Sequence, residues 1–195
     1  GLGIPAEPLF RSRILDNKSV WKNENIYPIL DRYINAGSKA VREVTPDALI
    51  ALHLESLNRN VYSMIMDGWD KGNVDYDVLG TSYYPFWWNT PDALRNAQSL
   101  AKERGKLFAV METAWLNSYQ DGDGTPNSIG ADSKLNQYEI GPQGQVDELT
   151  DMYNVLTSQD NGLGGFYWEP GWIPVKAGWT NWQYNKEVAD KYGTG

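Results

Sequence analysis

The chain has 195 residues, 17 Lys plus Arg against 25 Asp plus Glu, a formal net charge of −8 and no cysteine. That length suits one sizeable domain, and the acidic balance repels phosphate backbones and anionic lipid headgroups, so neither nucleic acid nor membrane insertion is expected. The missing cysteines exclude disulfides, thiol nucleophiles and Cys-ligated zinc, and a single histidine, His53, excludes multi-histidine metal sites.

Residues 1–23 are rich in Pro, Gly, Asn and Arg without periodicity and read as a loop. From Glu24 to Val44, Ile26, Ile29, Leu30, Tyr33, Ile34, Ala40, Val41 and Val44 recur mostly at three- and four-residue steps, which predicts an amphipathic helix with Pro28 in its first turn. Ala48 to Leu54 reads as a buried strand with His53 and Glu55 at its C-terminal end, and Asn58 to Trp69 as the next helix, closed by Lys71-Gly72-Asn73. A strand from Tyr76 to Tyr83 runs into Tyr84-Pro85-Phe86-Trp87-Trp88. Thr90-Pro91-Asp92 supplies an N-cap, a first-position proline and a first-turn acid for a helix over 91–104. Leu107 to Met111 is a third strand ending in Glu112-Thr113. A polar loop over 116–141, a helix over 143–158 and a strand over 163–168, leading into Glu169, complete the pattern.

Strand starts near Leu49, Val78 and Leu107 are 29 residues apart, and this alternation of strand and helix predicts a parallel α/β architecture. A doubly wound sheet would carry a Gly-rich phosphate turn after its first strand, but His53-Leu54-Glu55-Ser56 stands there. The strand ends carry His53, Glu55, Tyr83, Tyr84, Glu112, Trp168 and Glu169 instead. Polar and aromatic groups at the C-terminal ends of successive strands favour a (β/α)8 barrel.

The chain is also crowded with aromatics: nine Trp, twelve Tyr and four Phe. Indole faces stack on the apolar C–H faces of sugars and carboxylates accept from hydroxyls, so acid with aromatic suits a carbohydrate site; the alternative is core filling. A carboxylate such as Glu112, at the end of an apolar strand, must pair, bind substrate or react. The plainer alternative is a buried Glu held by backbone donors or Arg. Glu112 with Glu169 suggests the two acids of a glycosidase, which stand about 5 to 5.5 Å apart when configuration is retained. Glu55, followed by polar residues, reads as a solvated loop acid. Asp121, Asp123 and Asn127 place oxygen side chains at alternate positions of a Gly-rich loop, a spacing that suits a hard cation or an ion-free turn.

The segments Asp75–Gly80, Ser82–Trp87, Val110–Thr113, Asp121–Gly124 and Phe166–Val175 resemble the arabinogalactan endo-β-1,4-galactanases of glycoside hydrolase family 53, and Asn35–Glu43 is similar to that family's fourth barrel helix. The resemblance implies a (β/α)8 TIM barrel, here strands 5 to 8 with helix 4. It further implies a secreted enzyme, free or attached to the cell surface, that cleaves galactan and arabinogalactan side chains of pectin with retention. Glu112 would be the nucleophile. His53, Tyr83, Tyr84, Trp87, Trp168, Glu169 and Trp172 would line or shape the cleft, with one of the two tyrosines holding the nucleophile. Similar bacterial enzymes imply calcium at Asp121, Asp123 and Asn127, although Thr125 stands where a His can occur. The acid/base Glu of the family follows an Asn at a strand end. Asn23-Glu24 opens a helix with no strand before it, so the acid/base is expected upstream of Gly1 and the 195 residues read as one catalytic-domain fragment, inactive alone, without the N-terminal half of the barrel and its final helix. Another retaining endo-glycosidase, such as a β-mannanase, or a non-catalytic galactan-binding module are the alternatives.

Overall fold

The computed structural model describes residues 27–168, apart from 56, 58, 88 and 121–128. Its elements alternate in the predicted order: α1 (Tyr27–Val44), β1 (Ala51–Leu54), α2 (Arg59–Lys71), β2 (Val78–Tyr83), α3 (Pro91–Glu103), β3 (Leu107–Thr113), α4 (Pro142–Leu156) and β4 (Gly162–Tyr167). Short 3-10 turns at Pro85–Trp87 and Ala131–Ser133 follow β2 and β3. The four strands form one sheet in the order β1-β2-β3-β4, with every neighbouring pair parallel.

Helix α3 forms where its N-terminal residues satisfy its exposed donors. Thr90 Oγ1 accepts from Ala93 N at 3.1 Å, Pro91 occupies the first turn where no N–H is needed, and Asp92 sits at the positive end of the helix dipole. Gly105 adopts φ +66° directly after the C-cap Arg104, a conformation that favours glycine. Strand β1 begins three residues later than the apolar run suggested. Ile50 is already engaged at the start of β2, donating to the Asp77 carboxylate at 2.7 Å and accepting from Asp77 N and Val78 N. Arg42, in the last turn of α1, donates to Ala48 O and to the carboxylates of Asp75 and Asp77, tying that helix to the start of the sheet.

One apolar cluster unites the sheet with three helices. Leu54, Leu79, Tyr83, Phe108 and Val110 from the strands pack with Tyr62, Ile65 and Met66 of α2, Leu94 and Ala97 of α3, and Met152, Val155 and Leu156 of α4. The helices therefore cover the same face of the sheet. A doubly wound sheet has helices on both faces and a reversal of strand order, and neither occurs among the described residues. Gly165 allows one close approach, since a Cβ there would lie 2.7 Å from Met152 Cε.

Candidate active site

Strict alternation along β2 sorts its side chains between two environments. Leu79, Thr81 and Tyr83 turn toward the helices: Leu79 and Tyr83 belong to the apolar cluster, and Thr81 Oγ1 accepts from the Tyr62 hydroxyl of α2. Gly80 and Ser82 face the other way, and so does Tyr84, just past the strand. The two adjacent tyrosines thus separate. Tyr84 donates to Glu112 Oε2 at 3.0 Å, whereas Tyr83, expected at the cleft, is fully buried on the helix side and corrects that assignment.

Alternation alone would send Glu112 to the wrong face, because Phe108 and Val110 of the same parity pack in the helix-side core. A β-bulge reverses the parity. Thr81 pairs with Val110 but Ser82 pairs with Glu112, leaving Met111 as an extra residue on β3. Beyond it, Thr113 points to α4, where its hydroxyl meets Glu148, and Glu112 points to Tyr84. Bulges commonly re-aim side chains beside functional sites. Gly80 makes room for this one, as a Cβ there would lie 2.7 Å from Met111 Cγ.

Glu112 is 6% exposed, and the Tyr84 phenol fixes the rotation of its carboxylate. On the same face His53 Nε2 lies 2.9 Å from Ser82 Oγ. Since Ser82 is the register partner of Glu112, His53, Ser82 and Glu112 form a row across three strands. Glu55 is exposed at the end of β1, as a solvated acid would be.

Aromatic rings extend from this row. Tyr84 stacks on Phe86 with centroids 5.2 Å apart, Trp87 meets both edge-on, and Phe86 continues to Trp115 at 6.2 Å. Trp87 is 49% exposed and Trp168 45%, so both present ring surface to solvent. Trp168 is placed by its backbone N, which donates to Thr113 O at 2.8 Å.

Trp115 was not singled out from the sequence. It is buried, donates from Nε1 to Glu139 O at 2.7 Å, and its backbone is clamped by Tyr167 and Gln145. Its position two residues beyond the Glu112-Thr113 strand end was the available signal. Ser82 and Phe86 were equally unmarked, lying within a motif read for its tyrosines. Glu169, Trp172, Asp121, Asp123 and Asn127 lie outside the described residues. Among the described residues no group of three or more His, Cys, Asp or Glu could hold a metal ion, and no helix is long and apolar enough to cross a membrane.

A buried carboxylate oriented by a phenol, beside solvent-facing indoles at the C-terminal ends of parallel α/β strands, fits a glycoside hydrolase. The family model described as Glycosyl hydrolase family 53 matches residues 12–193, and the chain belongs to that family. It is 39% identical over 166 residues to the endo-beta-1,4-galactanase of Bacillus subtilis, covering 83% of this chain and 38% of that protein. To the arabinogalactan endo-beta-1,4-galactanase of Thermothelomyces thermophilus it is 36% identical over 103 residues, covering 51% of this chain and 29% of that protein. Among solved structures, the family 53 catalytic domain of Ignisphaera aggregans superposes with a TM-score of 0.67 at 34% identity, over 72% of this chain and 40% of that one. A fungal beta-1,4-galactanase does so with 0.63 at 27% identity, over 77% and 47%. The chain spans less than half the length of each.

Proposed function

We propose that the chain is the part of a retaining endo-β-1,4-galactanase that carries the nucleophile, Glu112, and half of the substrate cleft, acting on galactan and arabinogalactan side chains of pectin. The observation that carries this reading is the bulge-directed presentation of Glu112 to the Tyr84 hydroxyl. A retaining glycosidase needs a carboxylate fixed in this way to attack the anomeric carbon, while a second acid protonates the leaving oxygen and later activates water. Trp87 and Trp168 would stack on sugar faces, and His53 would meet substrate hydroxyls through the Ser82 row. Glu169 and Trp172 are assigned to the same cleft on the sequence motif alone.

In this reading the four strands are strands 5 to 8 of a (β/α)8 barrel with α1 as helix 4, and the acid/base Glu stands on strand 4, upstream of Gly1. The chain alone would then be inactive. A polymer that cannot cross a bilayer places the enzyme outside the cell, secreted or held at the surface. The oxygen-bearing loop of Asp121, Asp123 and Asn127 is proposed as a structural calcium site.

The test is digestion of galactan and mannan by the full-length protein and by its Glu112→Gln variant, with binding measured alongside. The parent is expected to cleave galactan, and the variant to bind it without cleaving. Unchanged turnover in the variant would sink the nucleophile assignment. Preferential mannan cleavage would sink the galactan assignment, and galactan binding without cleavage by the parent would reduce the protein to a binding module.

A further inference from the structure

Behind the sheet, on the face opposite Glu112, the same two strand ends carry a second polar cluster. Tyr83 and Thr113 are register partners and both face α4. Thr113 Oγ1 donates to Glu148 Oε1 at 2.5 Å. Glu148 is wholly buried in α4, and its Oε2 has no partner among the described residues. The Tyr83 hydroxyl lies beside Tyr138 but falls short of a hydrogen bond, and Tyr138 in turn donates to Asp151 Oδ2 at 3.0 Å. The residue directly after Glu112 and the residue directly before Tyr84 are therefore both seated against the same buried cluster.

Among the described residues no cation compensates it. Helix α4 contains no Lys or Arg, and β4 contains no charged residue. On the neighbouring α3, Arg95 pairs with Asp92 and Lys102 with Asp160. Among the described residues the titratable groups around Glu148 are Tyr83, Tyr138 and Asp151. Burial above all pushes the Glu148 carboxyl up to about 7; the Thr113 hydrogen bond offsets part of this and Asp151 adds to it. Burial likewise pushes Tyr138 up to about 12 and Tyr83 higher still, so both remain neutral phenols.

We propose that Glu148 is a positioning residue for the Glu112–Tyr84 pair: its neutral carboxyl clamps Thr113 from behind the sheet, and its ionisation loosens the C-terminal end of β3. The proposal rests on Glu112 being the nucleophile. Loss of the Glu148 proton to solvent leaves a carboxylate in apolar surroundings, one helical turn from Asp151. The Thr113 hydroxyl favours that charge but burial outweighs it, so the carboxylate must move or draw in water, and Thr113 is its hydrogen-bonded link to the backbone of Glu112. A displacement of about 1 Å at a reacting group can cost about a hundredfold in rate. The sign follows from the raised pKa. The clamp is intact below the ordinary carboxyl value of 4.5 and is lost as pH rises through about 7.

The experiment compares the full-length protein with Glu148→Gln and Thr113→Val between pH 5 and 9, following kcat and KM on galactan. For the parent, kcat should fall roughly tenfold by pH 8, one unit above the titration, with KM little changed. Glu148→Gln cannot ionise and should keep at pH 8 most of its own rate at pH 6. Thr113→Val lacks the link at every pH and should lose rate already at pH 6 while retaining the parent's circular dichroism. If Glu148→Gln fails to fold, Thr113→Val and the parent's titration still decide. A reading independent of turnover is the 13C carboxyl resonance of Glu112, assigned with Glu112→Gln, which should shift as Glu148 titrates in the parent and stay flat in Glu148→Gln. An alkaline limb shared by parent and Glu148→Gln, or a Glu112 resonance indifferent to Glu148, would overturn the proposal. If no protein turns over galactan while the resonance still tracks Glu148, the clamp stands and the galactanase reading falls.

Discussion

Tyr84 and Glu112 meet at 3.0 Å across two parallel strands, although neither strand's simple alternation would pair them without the extra residue Met111. The bond joins a phenol to a carboxylate that is almost removed from water, where charge-assisted hydrogen bonds contribute about 1.5 to 3 kcal/mol. Tyr84→Phe keeps the ring stacked on Phe86 and removes only the hydroxyl. If the bond orients the nucleophile, kcat of the full-length enzyme on galactan should drop roughly 10- to 150-fold, with KM much less affected. Steady-state kinetics of that variant check this, and a change confined to KM would assign Tyr84 to substrate binding alone.

Gly144 and Trp115 share a second dependence. A Cβ on Gly144 would lie 1.7 Å from Glu139 O and 2.9 Å from Trp115 Nε1, and those two atoms are hydrogen-bonded to each other. The obstructing atom is backbone, so relief requires the first turn of α4 to move. Gly144→Ala should destabilise the protein by about 1 to 3 kcal/mol, as overpacking does, and should loosen Trp115, which backs the aromatic row through Phe86. Denaturant unfolding measures the first effect and quenching of Trp fluorescence by acrylamide the second. A variant as stable as the parent would show that the turn yields freely.

These two dependences mark where the sequence is readable and where it stops. The order of elements follows from patterns local to each segment: the Thr90-Pro91-Asp92 cap, the helical spacing of Val61, Met64, Ile65 and Trp69, and the apolar strand before Glu112. Choosing between Tyr83 and Tyr84 was beyond it, because parity is known only once one residue is placed on a face. Glu112 was harder, since strict alternation from Val110 gives the wrong face and the bulge arises from pairing with β2. Glu148 carried no mark in the sequence, as an acid in a helix reads as solvated until the helix is docked. Its burial against Thr113 is a property of two elements brought together across 35 residues.

The loop holding Asp121, Asp123 and Asn127 gives a prediction of stability. A calcium ion bound only by the folded state stabilises it by mass action. Removing calcium from the full-length protein with a chelator should lower its melting temperature, and adding calcium back should restore it. Asp121→Ala with Asp123→Ala should melt at the chelated temperature with or without calcium. Identical melting curves for the parent with chelator and with calcium would count against a bound ion.

Asp31 supplies the last prediction, on the far side of the fold from Glu112. The residue is 2% exposed, neither carboxyl oxygen has a partner among the described residues, and it sits against Gly72, where a Cβ would lie 2.1 Å from Oδ2. A cavity of about 400 Å³ adjoins it, lined by Pro28, Ile29, Arg32 and Asn35. Burial raises the Asp31 pKa above its ordinary 3.8, so the folded state holds the proton more tightly than the unfolded chain. Its contribution to stability is therefore best below pH 3.8 and is lost as pH rises through the folded pKa. Asp31→Ala removes the unsatisfied carboxyl and should raise stability at pH 8 by about 1 kcal/mol, the low end expected for such a group because the cavity lets it relax. The gain should shrink toward zero or reverse as pH falls below 3.8, where the parent's carboxyl becomes mostly neutral in both states and only its packing is lost. Thermal unfolding of parent and variant across that range measures it, and a variant less stable than the parent at pH 8 would mean that Asp31 has a partner in solution.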